Sequence, residues 1–281
     1  MKNKKNDTIY VTIRVDIQTD SNQCSGSNYP KSVATTFFKF NNNTQAIPGH
    51  IGDIDKKVSS IVYDQLKLAP QIVDLRQFIS IPTRWGDKYH KNEHNFRLID
   101  TLQTLAKQTD SRFVIYGEMK DISVKFESKN SLSYWLRNPD RNFYLKLYIY
   151  DALQGKLINA KQYRTKAEWE YNKHDKADLY SELFWKRRYG QAIISLLNEV
   201  NADIAQALQC QIPIAKIVSV DSNSVEINLG KRNGLTKGKI LSISYSRNYK
   251  DQFGIERTSS TQYKGAMKVI ELHEKTRSYT H

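Results

Sequence analysis

Thiols, long apolar runs and negative charge are all scarce in this chain. Two cysteines, Cys24 and Cys210, occur in 281 residues. They match neither the paired spacing of a zinc or C-x-x-C redox site nor any local frame that marks a nucleophile. In a reducing compartment they are incidental thiols; in an oxidising one they could pair. No run of about 18 apolar residues occurs, so no segment reads as a membrane-spanning helix. There is no internal repeat and no low-complexity tract beyond the turn-like Asn41-Asn42-Asn43. Acidic residues are in deficit: 43 Lys+Arg against 29 Asp+Glu leave +14. Such an excess suits an anionic partner, whether nucleic acid, membrane surface or an acidic protein or polymer. The basic residues are scattered, and the densest cluster, Lys186-Arg187-Arg188 beside Trp185 and Tyr189, reads as a solvated face at a helix start.

The remainder indicates a folded protein. Hydrophobic residues make up 39% and aromatics 11%, and the length suits about two domains. The opening MKNKKNDTIYVTIRV has the basic start of a signal peptide but lacks its apolar core. Instead Ile9, Val11, Ile13, Val15 and Ile17 alternate as in a strand, so the chain reads as beginning in mid-strand, like a fragment.

Further strands are expected over 32–40, 71–80 and 112–127. Between them, Ile51, Ile54, Val58, Ile61, Val62 and Leu66 recur at three and four, as do Leu98, Ile99, Leu102, Leu105 and Ala106, which predicts two amphipathic helices. The order β-α-β-α-β argues for an α/β layer with partly parallel pairing. Residues 142–171 predict a hairpin, with Phe143, Leu145, Leu147 and Ile149 alternating before a turn at 152–156. A long helix follows, striped by Ile193, Leu197, Val200, Ile204 and Leu208, and Pro213 limits it. From Ile212 on, short alternating stretches predict a small all-β unit.

Three motifs resemble chemistry. Gly230, Gly234 and Gly238, followed by Lys239, suggest a phosphate loop, but three residues separate the last two glycines where four are needed, and Ile240 stands where the metal-binding hydroxyl belongs. The flanks alternate, so the stretch reads as strand–turn–strand. His90, Glu93 and His94 match the H-x-x-E-H zinc signature. Pro82 and Gly86 precede them and helical periodicity starts only at Phe96, which places the motif in a polar loop or first turn. Asp121 and Asp151 close strands, where turn capping is the expected role. Trp135, Tyr148, Tyr150, Trp169, Trp185 and Tyr189 have the spacing of core or cross-strand residues, although aromatics could also stack on bases or sugars. No catalytic residue, cofactor or metal site is assigned.

The stretches RNFYLKLYIYDALQGKLI, YRTKAEWEY, LFWKRRYGQAI, LNEVNADIAQALQCQIP and LGKRNGLTKGKILSI, with IRVDI, TQAIPGHIGDI and VIYGEMKDIS upstream, resemble the flagellar assembly protein T (FlgT) family. The resemblance runs from about residue 8 to the end. It implies a periplasmic, non-enzymatic subunit of the H ring around the basal body of polar, sodium-driven flagella. The implied partners are other copies of itself, the outer (L/P) rings, the stator-associated proteins MotX and MotY, and peptidoglycan; nucleic acid is disfavoured. The resemblance further implies an α/β middle domain like the amino-terminal domain of TolB over residues 30–210 and a small β domain over 211–281. Residues 1–29 are then the last strand of a truncated first domain plus a linker, with the export signal absent. A periplasmic setting makes a Cys24–Cys210 disulfide plausible. The rival readings from the residues are a basic nucleic-acid-binding module and a zinc-dependent hydrolase built on His90, Glu93 and His94.

Overall fold

The structure, a computed structural model, describes residues 9–14, 29–79, 91–125, 138–172, 175–250, 252, 256–272 and 278–280. Two compact units divide the chain: Ser32–Ala207, and Met1–Lys31 together with Leu208–His281.

The larger unit is built on a sheet. Strands β2 (Lys31–Thr36), β3 (Lys39–Phe40), β4 (Val73–Ile79), β5 (Phe113–Asp121), β6 (Val124–Lys125), β7 (Asp140–Asp151) and β8 (Lys156–Glu168) form it in the order β4-β2-β5-β7-β6, with β3 also on β5 and β8 also on β7. β2 and β3 both run parallel to β5, while the β5–β7 and β7–β8 pairs are antiparallel. The sheet is therefore mixed, as the alternation of helical and strand patterns implies. The single strand expected over 32–40 is two. Val33 pairs with Phe113 and Lys39 with Glu118, a slip of one residue that falls at Phe37–Phe38, where Phe38 is buried.

Helices cover both faces. On one, α1 (Ile54–Leu66) and α4 (Arg188–Gln209) meet where the Gln65 side chain bonds Asn198 at 2.9 Å and also accepts from Asn201. α4 reaches the sheet through Asp203, which accepts from Lys161 and Tyr163 of β8 at 2.5 and 2.8 Å. Tyr163 pairs with Leu145, whose face also carries Phe143, Leu147 and Ile149, all buried. The predicted stripe of α4 is fully withdrawn from solvent at Ile193, Leu197, Val200, Ile204 and Leu208. On the other face, α2 (Lys91–Gln108) packs Leu102, Leu105 and Ala106 against Val114, Tyr116 and Tyr150. A short helix, α3 (Glu182–Lys186), precedes α4, and its Ser181 cap accepts from the Leu183 amide at 3.2 Å.

The smaller unit is a closed barrel in the order β1-β11-β12-β13-β10-β9, formed by β1 (Ile9–Arg14), β9 (Ile214–Asp221), β10 (Ser224–Ile227), β11 (Ile240–Lys250), β12 (Glu256–Leu272) and β13 (Ser278–Thr280). Every pairing in it is antiparallel. Tyr29, Ala215, Ile227, Leu229, Leu235, Leu241 and Val269 fill it. The strand expected to end a preceding domain is here one of its staves: Ile13 pairs with Ile243 of β11 and with Ala215 of β9. An alternating strand must hydrogen-bond on both sides or stand as an edge, and β1 satisfies both sides by closing this barrel.

Candidate functional site

The inward-facing residues of β7 include one cation. Arg141 lies two positions before Phe143, in phase with the buried stripe, and is 0% exposed. Its guanidinium donates to the carbonyls of Ile122 at 2.9 Å, Pro48 at 2.7 Å and Gln45 at 2.7 Å. The Trp169 ring lies 4.2 Å from it and the Tyr189 ring 5.6 Å. Burial pushes its pKa down to about 10, so it stays charged at neutral pH. A cation desolvated without a carboxylate needs dipoles and ring faces arranged around it, and three carbonyls with two rings supply them. At the other end of β7, Asp151 is 0% exposed and accepts from Arg112 Nε and Nη2 at 3.0 and 2.7 Å. Its second oxygen accepts the Leu153 and Gln154 amides, capping the hairpin turn. Asp121 likewise caps a turn through the Ser123 amide at 2.9 Å. These polar groups frame the fold and offer no open substrate cleft.

The α2-side face of β7 and β8 carries aromatics and cations already engaged with one another. Tyr148 stacks on Tyr116 at 5.7 Å, Arg164 lies 4.2 Å from the Tyr144 ring, and Lys146 lies 4.9 Å from Tyr148. Tyr116 donates to Glu118 at 3.0 Å. Cross-strand pairing thus accounts for Tyr148. Trp169 and Tyr189 are core residues packed with Phe184. Trp185 donates its indole N–H to the Leu179 carbonyl at 2.8 Å, and Trp135 lies outside the described residues.

The basic cluster is similarly occupied. Lys186 pairs with Glu182 at 2.9 Å, Arg187 donates to the Glu170 carbonyl and covers the Tyr171 ring at 4.2 Å, and Arg188 pairs with Glu168. Glu170 accepts the Arg188 amide at 2.8 Å, placing a carboxylate on the positive end of α4. Arg187 and Arg188 thus tie the helix to the end of the hairpin, while Lys186 pairs within its own helix.

Of the zinc-like motif, Glu93 and His94 fall in the first turn of α2, and His90 lies outside the described residues. No group of three or more His, Cys, Asp or Glu suited to a metal occurs among the described residues. Cys210 is disulfide-bonded; Cys24 lies outside the described residues. The glycine-rich stretch is a β-connection: a 3-10 turn, Lys231–Asn233, links β10 towards β11, and Gly234 and Gly238 take φ of 78° and 87°, which glycine adopts freely. No helix of the described residues is long and apolar enough to cross a membrane.

A groove of about 320 Å³ opens on the barrel surface between β11 and β12, lined by Ile240, Ser242, Gln262, Tyr263, Gly265 and Ala266, with Lys264 also at its margin. Ser242 pairs with Ala266 and Ser244 with Gln262, so Tyr263-Lys264-Gly265 bulges opposite Ile243 alone. Sequence alternation alone carries no signal for this bulge, apart from the glycine within β12.

Comparison with known proteins gives two family matches in chain order: Flagellar assembly protein T, middle domain, over residues 22–179, and Flagellar assembly protein T, C-terminal domain, over residues 222–280. No curated protein matches the chain. Similar solved structures include a hypothetical protein from Chlamydia trachomatis, at 14% identity and TM-score 0.42, covering 64% of this chain and 98% of that one. The PelC dodecamer from Paraburkholderia phytofirmans is similar at 11% identity and TM-score 0.36, covering 73% and 99%. TolB from Acinetobacter baumannii is similar at 11% identity and TM-score 0.29, covering 97% and 60%.

Proposed function

The chain belongs to the flagellar assembly protein T family, and from that membership we propose that it is a non-enzymatic structural subunit of the H ring of the flagellar basal body. It works by fitting against neighbours: further copies of itself, the outer (L/P) rings, MotX/MotY-type stator-associated proteins and peptidoglycan, in the periplasm. The observation that carries this reading is the pair of family matches, which together take in most of the described chain in the order middle domain, C-terminal domain. A ring subunit needs two different, complementary faces. The polar residues inside the larger unit agree with a structural role, because Arg112, Arg141 and Asp151 are all spent on holding strands and turns.

The proposal extends to the cysteines. Cys210 is disulfide-bonded and the chain has one other cysteine, so Cys24 is its proposed partner, consistent with an oxidising compartment.

Deletion of the gene tests the reading. Basal bodies isolated from the deletion strain should lack the ring and the cells should lose motility; intact rings and normal swimming would refute it.

A further inference from the structure

The smaller unit carries 17 Lys+Arg against 9 Asp+Glu, a net of +8. In the larger unit carboxylates hold Lys56, Lys120, Lys161 and Lys186. Lys237, Lys239, Lys264 and Lys268 have no carboxylate partner among the described residues. They lie on β12 and on the turn that leads into Ile240. Lys264 lines the barrel groove. Lys268 pairs in register with Ile240 and lies across the turn that carries Lys237 and Lys239, its Cε 3.9 Å from the position a Cβ on Gly238 would take. That turn is fastened to β12, since the Gly238 amide donates to the Val269 carbonyl at 2.8 Å and the Val269 amide to the Lys239 carbonyl at 2.9 Å.

Between these charges lies apolar surface. Ile240 is 59% exposed and Tyr263 is 65% exposed. The Tyr263 ring lies directly over Gly265, where a Cβ would come within 2.6 Å of it. Any side chain at residue 265 would displace the ring, so the glycine makes room for it beside the groove. An exposed tyrosine and isoleucine framed by unpaired lysines make an apolar anchor site inside a positive rim, the arrangement of a protein-binding hot spot.

We propose that this groove docks an acidic segment of a partner protein, one that places an apolar side chain against Ile240 and Tyr263 and carboxylates against Lys264 and Lys268. The lysines steer the encounter and the bulge supplies the anchor. The proposal deepens the reading of the chain as a docking subunit by naming one surface and the chemistry of what it receives. It excludes a bare polyanion as the natural occupant, because a polyanion leaves Ile240 and Tyr263 exposed.

The test is fluorescence anisotropy of the full chain with a labelled peptide alternating glutamate and phenylalanine, run beside poly-L-glutamate and a single-stranded oligothymidylate. The peptide should bind most tightly. Lys264→Glu/Lys268→Glu and Tyr263→Ala should each weaken it by about tenfold or more, and Gly265→Ala, which displaces the ring without removing it, should reproduce the loss. The charge-matched control Lys125→Glu/Lys176→Glu in the larger unit should bind like the parent. Equal weakening by that control, no effect of both Tyr263→Ala and Gly265→Ala, or equally tight binding of either polyanion would overturn the proposal. Such a failure leaves the ring reading standing, since that depends on the deletion strain.

Discussion

The guanidinium of Arg141 lies 4.2 Å from the Trp169 ring, and both side chains are fully withdrawn from solvent. The pair joins the start of β7 to the residue that follows β8, while the other side of Arg141 binds the carbonyls of Gln45, Pro48 and Ile122. One side chain thus fastens the segment before α1, the β5–β6 connection and the hairpin.

Arg141→Lys keeps the charge but not the fork of donors, and leaves buried carbonyls unsatisfied. Urea unfolding should show a loss of about 2–4 kcal/mol. A double-mutant cycle with Trp169→Leu should return a coupling of about 1–2 kcal/mol. Additive effects would show that the stacking contributes nothing.

Asp151 should resist substitution for two reasons. Asp151→Ala removes the partner of a buried arginine and the cap of the β7–β8 turn together, and should cost about 3–5 kcal/mol. Asp151→Asn retains turn-capping capacity and should cost less. Comparing the two by chemical denaturation separates the cap from the ion pair; equal losses would assign everything to the charge.

Stability should fall at both pH extremes, through different groups. Burial pushes the Asp203 carboxyl up, but the bonds from Lys161 and Tyr163 outweigh it and hold the carboxyl below its ordinary range. A depressed folded value stabilises above the unfolded pKa of about 4 and is lost as pH falls through the folded one. Asp203→Asn should therefore flatten the acid limb of a pH–melting-temperature profile. Burial, joined by the bond to Asp203, raises the Tyr163 phenol, and burial raises that of Tyr189. Below the unfolded value of about 10 their full contribution is present, and it is lost as pH rises beyond it towards the folded values. Tyrosinate absorbance from these two should appear only as the fold is lost.

Leu197 sits at the middle of the α4 stripe and is 0% exposed. Leu197→Ala should destabilise the protein by about 2–5 kcal/mol, the range for a fully buried leucine replaced without collapse of its site. A change under about 1 kcal/mol, measured by urea unfolding, would contradict the packing described.

Non-reducing peptide mapping of periplasmic material should recover Cys24 joined to Cys210. Cys210→Ser should lower stability by about 2–4 kcal/mol, since the bridge closes a long loop in the unfolded chain. Thiol labelling of both cysteines in that material would refute the pairing.

Much of the scaffold was legible in local pattern. The period of two through Phe143, Leu145, Leu147 and Ile149 announces a half-buried strand, and the recurrence through Ile193, Leu197, Val200, Ile204 and Leu208 announces a helix with one buried face. Arg141 was legible in principle, being in phase with that strand stripe, but its residue type argued for the surface. The carbonyls and ring that receive it come from Gln45, Pro48, Ile122 and Trp169, which are distant in sequence.

Residue order alone determined where the main helices and long strands lie, that the glycine run is a turn, and that the chain resembles flagellar assembly protein T, because each of these depends on neighbours a few positions apart or on motifs read in line. Only the tertiary structure decided that Ile13 pairs with Ile243, that Arg187 and Arg188 are spent on the end of the hairpin, and that Lys264 lines an open groove with Lys268 opposite Ile240. Strand alternation specifies a face but not a partner, and a charge in the sequence carries no record of which carboxylate the fold brings to it.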